Sequence, residues 1–165
     1  MTIITLIIIG CLVAADQISK IWAVNTLGGG QDILVWENVF HLTYIQNRGA
    51  AFGMLQGKQW LLIPVTILVL IGMIVYFKKV PSTKAGTWAK ISLVLIISGA
   101  IGNLIDRILL SYVRDFLYFR LIDFPVFNIA DTFVVIGVGI LLLVILFGDI
   151  EKTDGSKEKN HGRID

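Results

Sequence analysis

The chain has 165 residues, 56% of them hydrophobic and only 16% charged, with a mean hydropathy of +0.81. Soluble domains carry roughly 45–50% apolar and about 25% charged residues, and over half of any folded surface is apolar already. A soluble enzyme and a disordered chain are therefore excluded. The net charge of +2 leaves no electrostatic footprint for nucleic acid.

Four segments reach the roughly 20 apolar residues that a spanning helix needs. They are residues 2–24, 60–77, 88–110 and 130–147. Residues 1–148 thus read as one integral membrane domain, followed by a charged tail, 149–165, expected to be disordered. No Lys or Arg precedes the first segment, so it is expected to stay as a span rather than be removed as a leader. Ile8-Ile9-Gly10-Cys11 loosely resembles a lipoprotein cleavage site, but without a basic stretch before it Cys11 reads as a cysteine within the membrane. This lone cysteine also excludes an internal disulfide.

Between the first two spans, Gly28-Gly29-Gly30 opens a segment holding Ile33–Trp36 and then residues 39–46. In the second run Phe40, Leu42 and Tyr44 alternate with His41 and Thr43, the period of a strand. Between spans three and four, residues 111–127 are rich in Phe and Tyr. Thirteen of the 17 aromatics fall at or beyond one end of the bundle, and aromatic rings favour the headgroup region. These segments read as a small sheet and loop resting on the outer leaflet.

Charged groups inside spans are costly and mark function or a specific pairing. Asp16 and Lys20 stand four apart on one helix face, which suits a structural ion pair with Lys20 reaching outward. In span three, Asn103 and Arg107 share a stripe and Asp106 lies one step around, a placement that suits helix packing. Gly99 and Gly102 would let another helix approach closely. Two further acids bracket the second outer segment. Alone, Asp115 reads as a loop charge and Asp131 as a helix cap, with Asn128 one turn before it. Brought to one membrane depth, two carboxyls are driven to share a proton. One could then activate water while the other protonates a carbonyl oxygen.

Other hydrolytic chemistries fail on inventory. The chain has neither H-E-x-x-H nor G-x-S-x-G. A Ser–His pair would need His41, in the expected strand, or His161, in the tail. Two readings of another class stay open here. One is a small transporter using Asp16, Asp106 and Asp131. The other is an assembly subunit in which Asp115 is freely replaceable.

Five blocks occur in order: Asp16-Gln17-Ile18-Ser19-Lys20, Asn47-Arg48-Gly49-Ala50-Ala51-Phe52-Gly53, Gly102-Asn103-Leu104-Ile105-Asp106-Arg107, Val113-Arg114-Asp115-Phe116 and Phe127-Asn128-Ile129-Ala130-Asp131. Together they resemble the motif set of the bacterial lipoprotein signal peptidases, signal peptidase II. The resemblance implies an all-α membrane protein with a small β element, four transmembrane helices and an extracytoplasmic β-cradle on the outer leaflet. It implies an aspartyl endopeptidase that cuts prolipoproteins before a diacylglyceryl-modified cysteine, in the bacterial cytoplasmic membrane, with no metal or other cofactor. Asp115 and Asp131 would be its catalytic pair. Asp16, Lys20, Asn47, Gly49, Asn103, Arg107 and Asn128 would support the site or bind substrate, with Asn47 in the cradle. Arg114 departs from the apolar residue usual before the first catalytic acid, which leaves the contacts around Asp115 open. Prolipoproteins and membrane lipids are the expected partners, and a monomer is the expected working form.

Orientation follows from the basic residues. Lys78, Lys79, Lys84, Lys90 and four in the tail stand on one side, giving it a net charge of +3, whereas the other side carries −1. Both termini are expected in the cytoplasm. In a Cys11→Ser background, a cysteine introduced at Thr83 is expected to resist an impermeant thiol reagent in intact cells; ready labelling would reverse the topology.

Overall fold

The computed structural model describes residues 1–50 and 54–148. The tail expected to be disordered, with His161, and the Ala51–Gly53 end of the second motif lie outside the described residues. Four helices are long and apolar enough to cross a membrane: α1 (Ile3–Leu27), α2 (Gln59–Lys79), α3 (Lys84–Leu110) and α4 (Ile129–Phe147). α1 runs three residues past its expected outer end, and α3 starts four residues before its expected beginning. The apolar stretch stops at the first polar residues, but a helix stops at its caps. The Thr83 hydroxyl accepts from the Gly86 N–H at 3.0 Å and starts α3 among polar residues.

α3 is the central helix, packed against the other three. Eleven of its 27 residues are buried, against two of 21 in α2. Glycines bring α3 and α4 together. A Cβ on Gly99 would overlap the Ala130 carbonyl oxygen, and one on Gly137 would lie 2.8 Å from the Ser92 carbonyl oxygen. Only a hydrogen fits at either place. Outward-facing side chains such as Leu68, Leu143 and Leu146 are exposed, as suits helices surrounded by lipid.

One end of the bundle carries an antiparallel sheet in the order β1 (Ile33–Trp36), β2 (Phe40–Asn47), β3 (Val113–Phe119). The third strand is a correction to the bland reading of Asp115, which lies on β3 and not in a loop. Its sequence hides the alternation because both faces are occupied. Phe116 packs on Ala23 and Leu27 of α1, while Asp115 is buried on the opposite side of the strand. A bulge falls between Leu42 and Ile45, so three steps along β2 match two along β3, from Leu117 to Asp115. Such an extra residue re-aims the side chains that follow it, here Asn47 toward Asp115. All of β1 is exposed, including Leu34, Val35 and Trp36, an apolar edge suited to the interface.

Gly99→Val should therefore cost roughly 1–3 kcal/mol through overpacking, read as a lower unfolding temperature in detergent. Gly139→Ala, where nothing lies within 4 Å of the added carbon, is the control expected to be silent. Equal stability of the two variants would refute the close-approach account.

Candidate active site

The segment before α4 is stitched to the sheet. The Phe127 carbonyl accepts from the Phe116 and Leu117 N–H groups at 3.0 and 2.8 Å, and the Phe127 N–H donates to the Leu117 carbonyl at 3.0 Å. These bonds bring Asn128 beside Asp115. Asn128 then starts α4 through a capping box: its Oδ1 accepts from the Asp131 N–H at 2.9 Å, and Asp131 Oδ2 accepts from the Asn128 N–H at 3.1 Å. Asp131 is thus a cap as well as a site candidate.

With its oxygen committed to the cap, Asn128 must present its NH2. Nδ2 donates to Asp115 Oδ1 at 2.6 Å and to Asn103 Oδ1 at 3.1 Å. Asn103 Oδ1 also accepts from Lys20 Nζ at 2.9 Å, so its own NH2 turns to Asp131 Oδ1 at 2.7 Å. Asn47 donates to Asp115 Oδ2 at 3.0 Å and is steadied by the Gly49 N–H on its Oδ1 at 2.9 Å. Each carboxyl therefore faces amide donors whose orientation something else dictates.

The supporting residues expected from the sequence converge on this point. Lys20 pairs with Asp16 at 2.9 Å and lies 3.6 Å from Asp106, all three fully buried. Asp16 also accepts the Ala130 N–H at 3.0 Å, so α1 satisfies a free donor at the start of α4. Arg107 donates to the Gly49 carbonyl at 3.2 Å, and its Nε is buried with no partner among the described residues. Gln17 was not expected in the site. It donates to Asp16, Asp106 and the Gly102 carbonyl, and an amide inside an apolar span was the available signal. Among the described residues no three of His, Cys, Asp and Glu are grouped to hold a metal ion.

Asp115 and Asp131 line one cavity of about 630 Å³ together with Asn47, Asn103 and Arg107, against an apolar wall of Phe119, Phe127, Val134, Val135 and Ile136. Asp115 and Asn47 also line a second hollow of about 500 Å³, edged by Asp32, Gln46, Arg48, Gln56 and Asp123. Asp115 stands where the two hollows meet. Burial foremost, then the negative charge of Asp131, push its carboxyl from the ordinary carboxylate range up to about 7, against the pull of the Asn47 and Asn128 hydrogen bonds and the Lys20 charge.

The chain is similar to known proteins in sequence and in fold. Residues 8–147 match the family model described as signal peptidase (SPase) II. A lipoprotein signal peptidase of Clostridioides difficile is 46% identical over 142 residues, covering 86% of this chain and 94% of its own. One from Clostridium tetani is 44% identical over 160 residues, with 94% and 96% covered. Two solved structures described as bacterial membrane enzymes superpose with TM-scores of 0.75 and 0.74 at 32% and 34% identity. They cover 96% and 88% of this chain, and 94% and 93% of their own chains.

The raised Asp115 carboxyl is measurable. In protein labelled with carbon-13 at the aspartate carboxyls, Asp115 should titrate near pH 7, and Asp131→Asn should move that midpoint down by removing the like charge. A midpoint near 4 in the unsubstituted protein would contradict the burial argument.

Proposed function

This chain belongs to the signal peptidase II family, and from that premise we propose that it hydrolyses prolipoproteins with Asp115 and Asp131 as a catalytic pair. The membership makes it a multi-pass bacterial membrane peptidase that processes lipoprotein precursors. The observation that carries the finer reading is that both carboxyls line one cavity, each held by an asparagine NH2. The transporter reading loses its path, since Asp16 and Asp106 are committed to Lys20 and Arg114.

The pair shares one proton. The ionised carboxyl takes a proton from water as the oxygen adds to the scissile carbonyl carbon, and the neutral carboxyl gives its proton to the carbonyl oxygen. On collapse, the C–N bond breaks, the nitrogen takes the proton from the first carboxyl, and the second regains one from a hydroxyl. The pair ends with a single proton again. Arg107, with a free buried donor, holds a substrate backbone carbonyl. Water arrives through the second hollow, which Asp115 and Asn47 also line. The diacylglyceryl chains of the substrate cysteine stay in lipid beside the Val134–Ile136 wall, and the peptide bond before that cysteine reaches Asp115 and Asp131. All of these groups come from one chain, so a monomer suffices, and the basic loop between α2 and α3 faces the cytoplasm with both termini.

The test is cleavage of a purified lipid-modified prolipoprotein per folded molecule, with products identified by mass. Asp115→Asn and Asp131→Asn should each lower turnover by roughly a thousandfold or more, and the double change should cost little beyond either, because groups acting as a unit are non-additive. The unlipidated precursor should be cut poorly. Near-normal turnover by either folded variant would sink the aspartyl mechanism, and efficient cutting of the unlipidated precursor would sink the lipid requirement.

A further inference from the structure

Arg114 precedes Asp115 on β3, and its side chain is firmly engaged. Strand alternation sends it away from Asp115, toward the end of α3 and the middle of α1. There one carboxylate takes three of its donors. Asp106 Oδ2 accepts the Arg114 backbone N–H at 3.0 Å and its Nε at 3.1 Å, and Oδ1 accepts its terminal NH2 at 2.6 Å. The same NH2 group donates to Gln17 Oε1 at 2.8 Å. Two parallel bonds from a planar fork to one carboxylate fix orientation as well as distance. The residue next to Asp115 is thereby pinned to α3 through both its backbone and its side chain.

Charge adds a second argument. The buried Asp16, Asp106 and Lys20 and the partly buried Arg114 form one cluster, whose formal charges cancel. With an apolar residue at 114 the cluster would keep one uncompensated negative charge, a costly thing to bury. The nearest remaining cation to Asp106 would be Lys20, whose Nζ lies 3.6 Å away. That ammonium is already committed at 2.9 Å to Asn103 Oδ1, the contact that turns the Asn103 NH2 toward Asp131. Drawing Lys20 onto Asp106 would loosen it.

We propose that Arg114 is a positioning residue for the catalytic pair: it splints the strand carrying Asp115 to Asp106 and, by neutralising Asp106, keeps Lys20 on Asn103. The residue reaches both acids without touching substrate, Asp115 through the backbone and Asp131 through Lys20 and Asn103. This rests on the assignment of Asp115 and Asp131 as the reacting pair.

The experiment compares Arg114→Met, Arg114→Lys and the double variant Asp106→Asn/Arg114→Met with the unsubstituted full-length protein in lipid nanodiscs, scoring kcat and KM per folded molecule. Displacements of an ångström at reacting groups can cost up to about a hundredfold. Arg114→Met is expected to lower kcat about tenfold while KM changes less than about twofold, and Arg114→Lys, which keeps the charge, to recover most of that loss. The double variant restores charge balance, and the amide oxygen that Asp106→Asn leaves in place can still accept the backbone N–H of residue 114. It should therefore turn over at least about threefold faster than Arg114→Met, whereas independent contacts would make it as slow or slower. A kcat within about twofold of the unsubstituted protein for Arg114→Met, a loss confined to KM, or a double variant no faster than Arg114→Met would each overturn the proposal. If Arg114→Met gives no folded protein, the double variant decides alone: folded and active supports the charge argument, and unfolded overturns it. Asp115→Asn run in parallel separates the two levels. Its inactivity beside a normal Arg114→Met removes only the role of Arg114, whereas its activity removes the catalytic pair itself.

Discussion

A lysine ammonium can donate but never accept, and the arrangement of the site depends on that restriction at Lys20. Its Nζ is buried between Asp16 and Asn103. Asn103 must offer it an oxygen, so the Asn103 NH2 faces Asp131. The same oxygen takes a bond from Asn128, whose own oxygen is held by the first turn of α4, so the Asn128 NH2 faces Asp115. Two amides that are free to flip in isolation are thus locked in one sense. Both carboxyls meet donors, which suits a pair that must hold negative charge away from bulk water.

The ion cluster beneath the pair also joins the helices. In lipid there is no hydrophobic force between spans, so close packing and interhelical polar contacts must hold them together. Asp16 on α1 reaches the Ala130 N–H of α4 and the Lys20 ammonium at once. A Cβ on Gly102 of α3 would collide with the Asp16 carboxylate, so the absence of a side chain there makes the contact possible. Gly99 serves the same purpose against the Ala130 carbonyl. The same residues therefore carry both packing and site geometry, and a change in one disturbs the other.

The sheet brings a different constraint. β3 must offer Phe116 to the end of α1, Arg114 to Asp106, and Asp115 to the cavity. The bulge in β2 and the bridge from Leu117 to Phe127 let one short strand meet all three demands. Asp115 consequently sits where the two hollows share a wall.

By itself the sequence determined what one-dimensional pattern can carry. Hydropathy blocks specify four helices, because a span must be apolar along its length and satisfy its own backbone. Spacing of four puts Asp16 beside Lys20, and spacing of three puts Asn128 beside Asp131, since both contacts lie within one turn of a single helix. The ordered motifs identified the family for the same reason: they survive as local strings. Tertiary structure alone decided the rest. That β3 is a strand depended on partners from α1, β2 and α3, and burial on both faces erased the alternation that would have announced it. Gln17 entered the site, and Arg114 turned from an anomaly into a partner of Asp106, through contacts spanning 97 and 8 residues. Which way an amide points, and which of two nearby acids an ammonium serves, is settled by competition among groups distant in the chain. No local pattern encodes that competition, because its outcome is a balance of distances that exists only after the helices have packed.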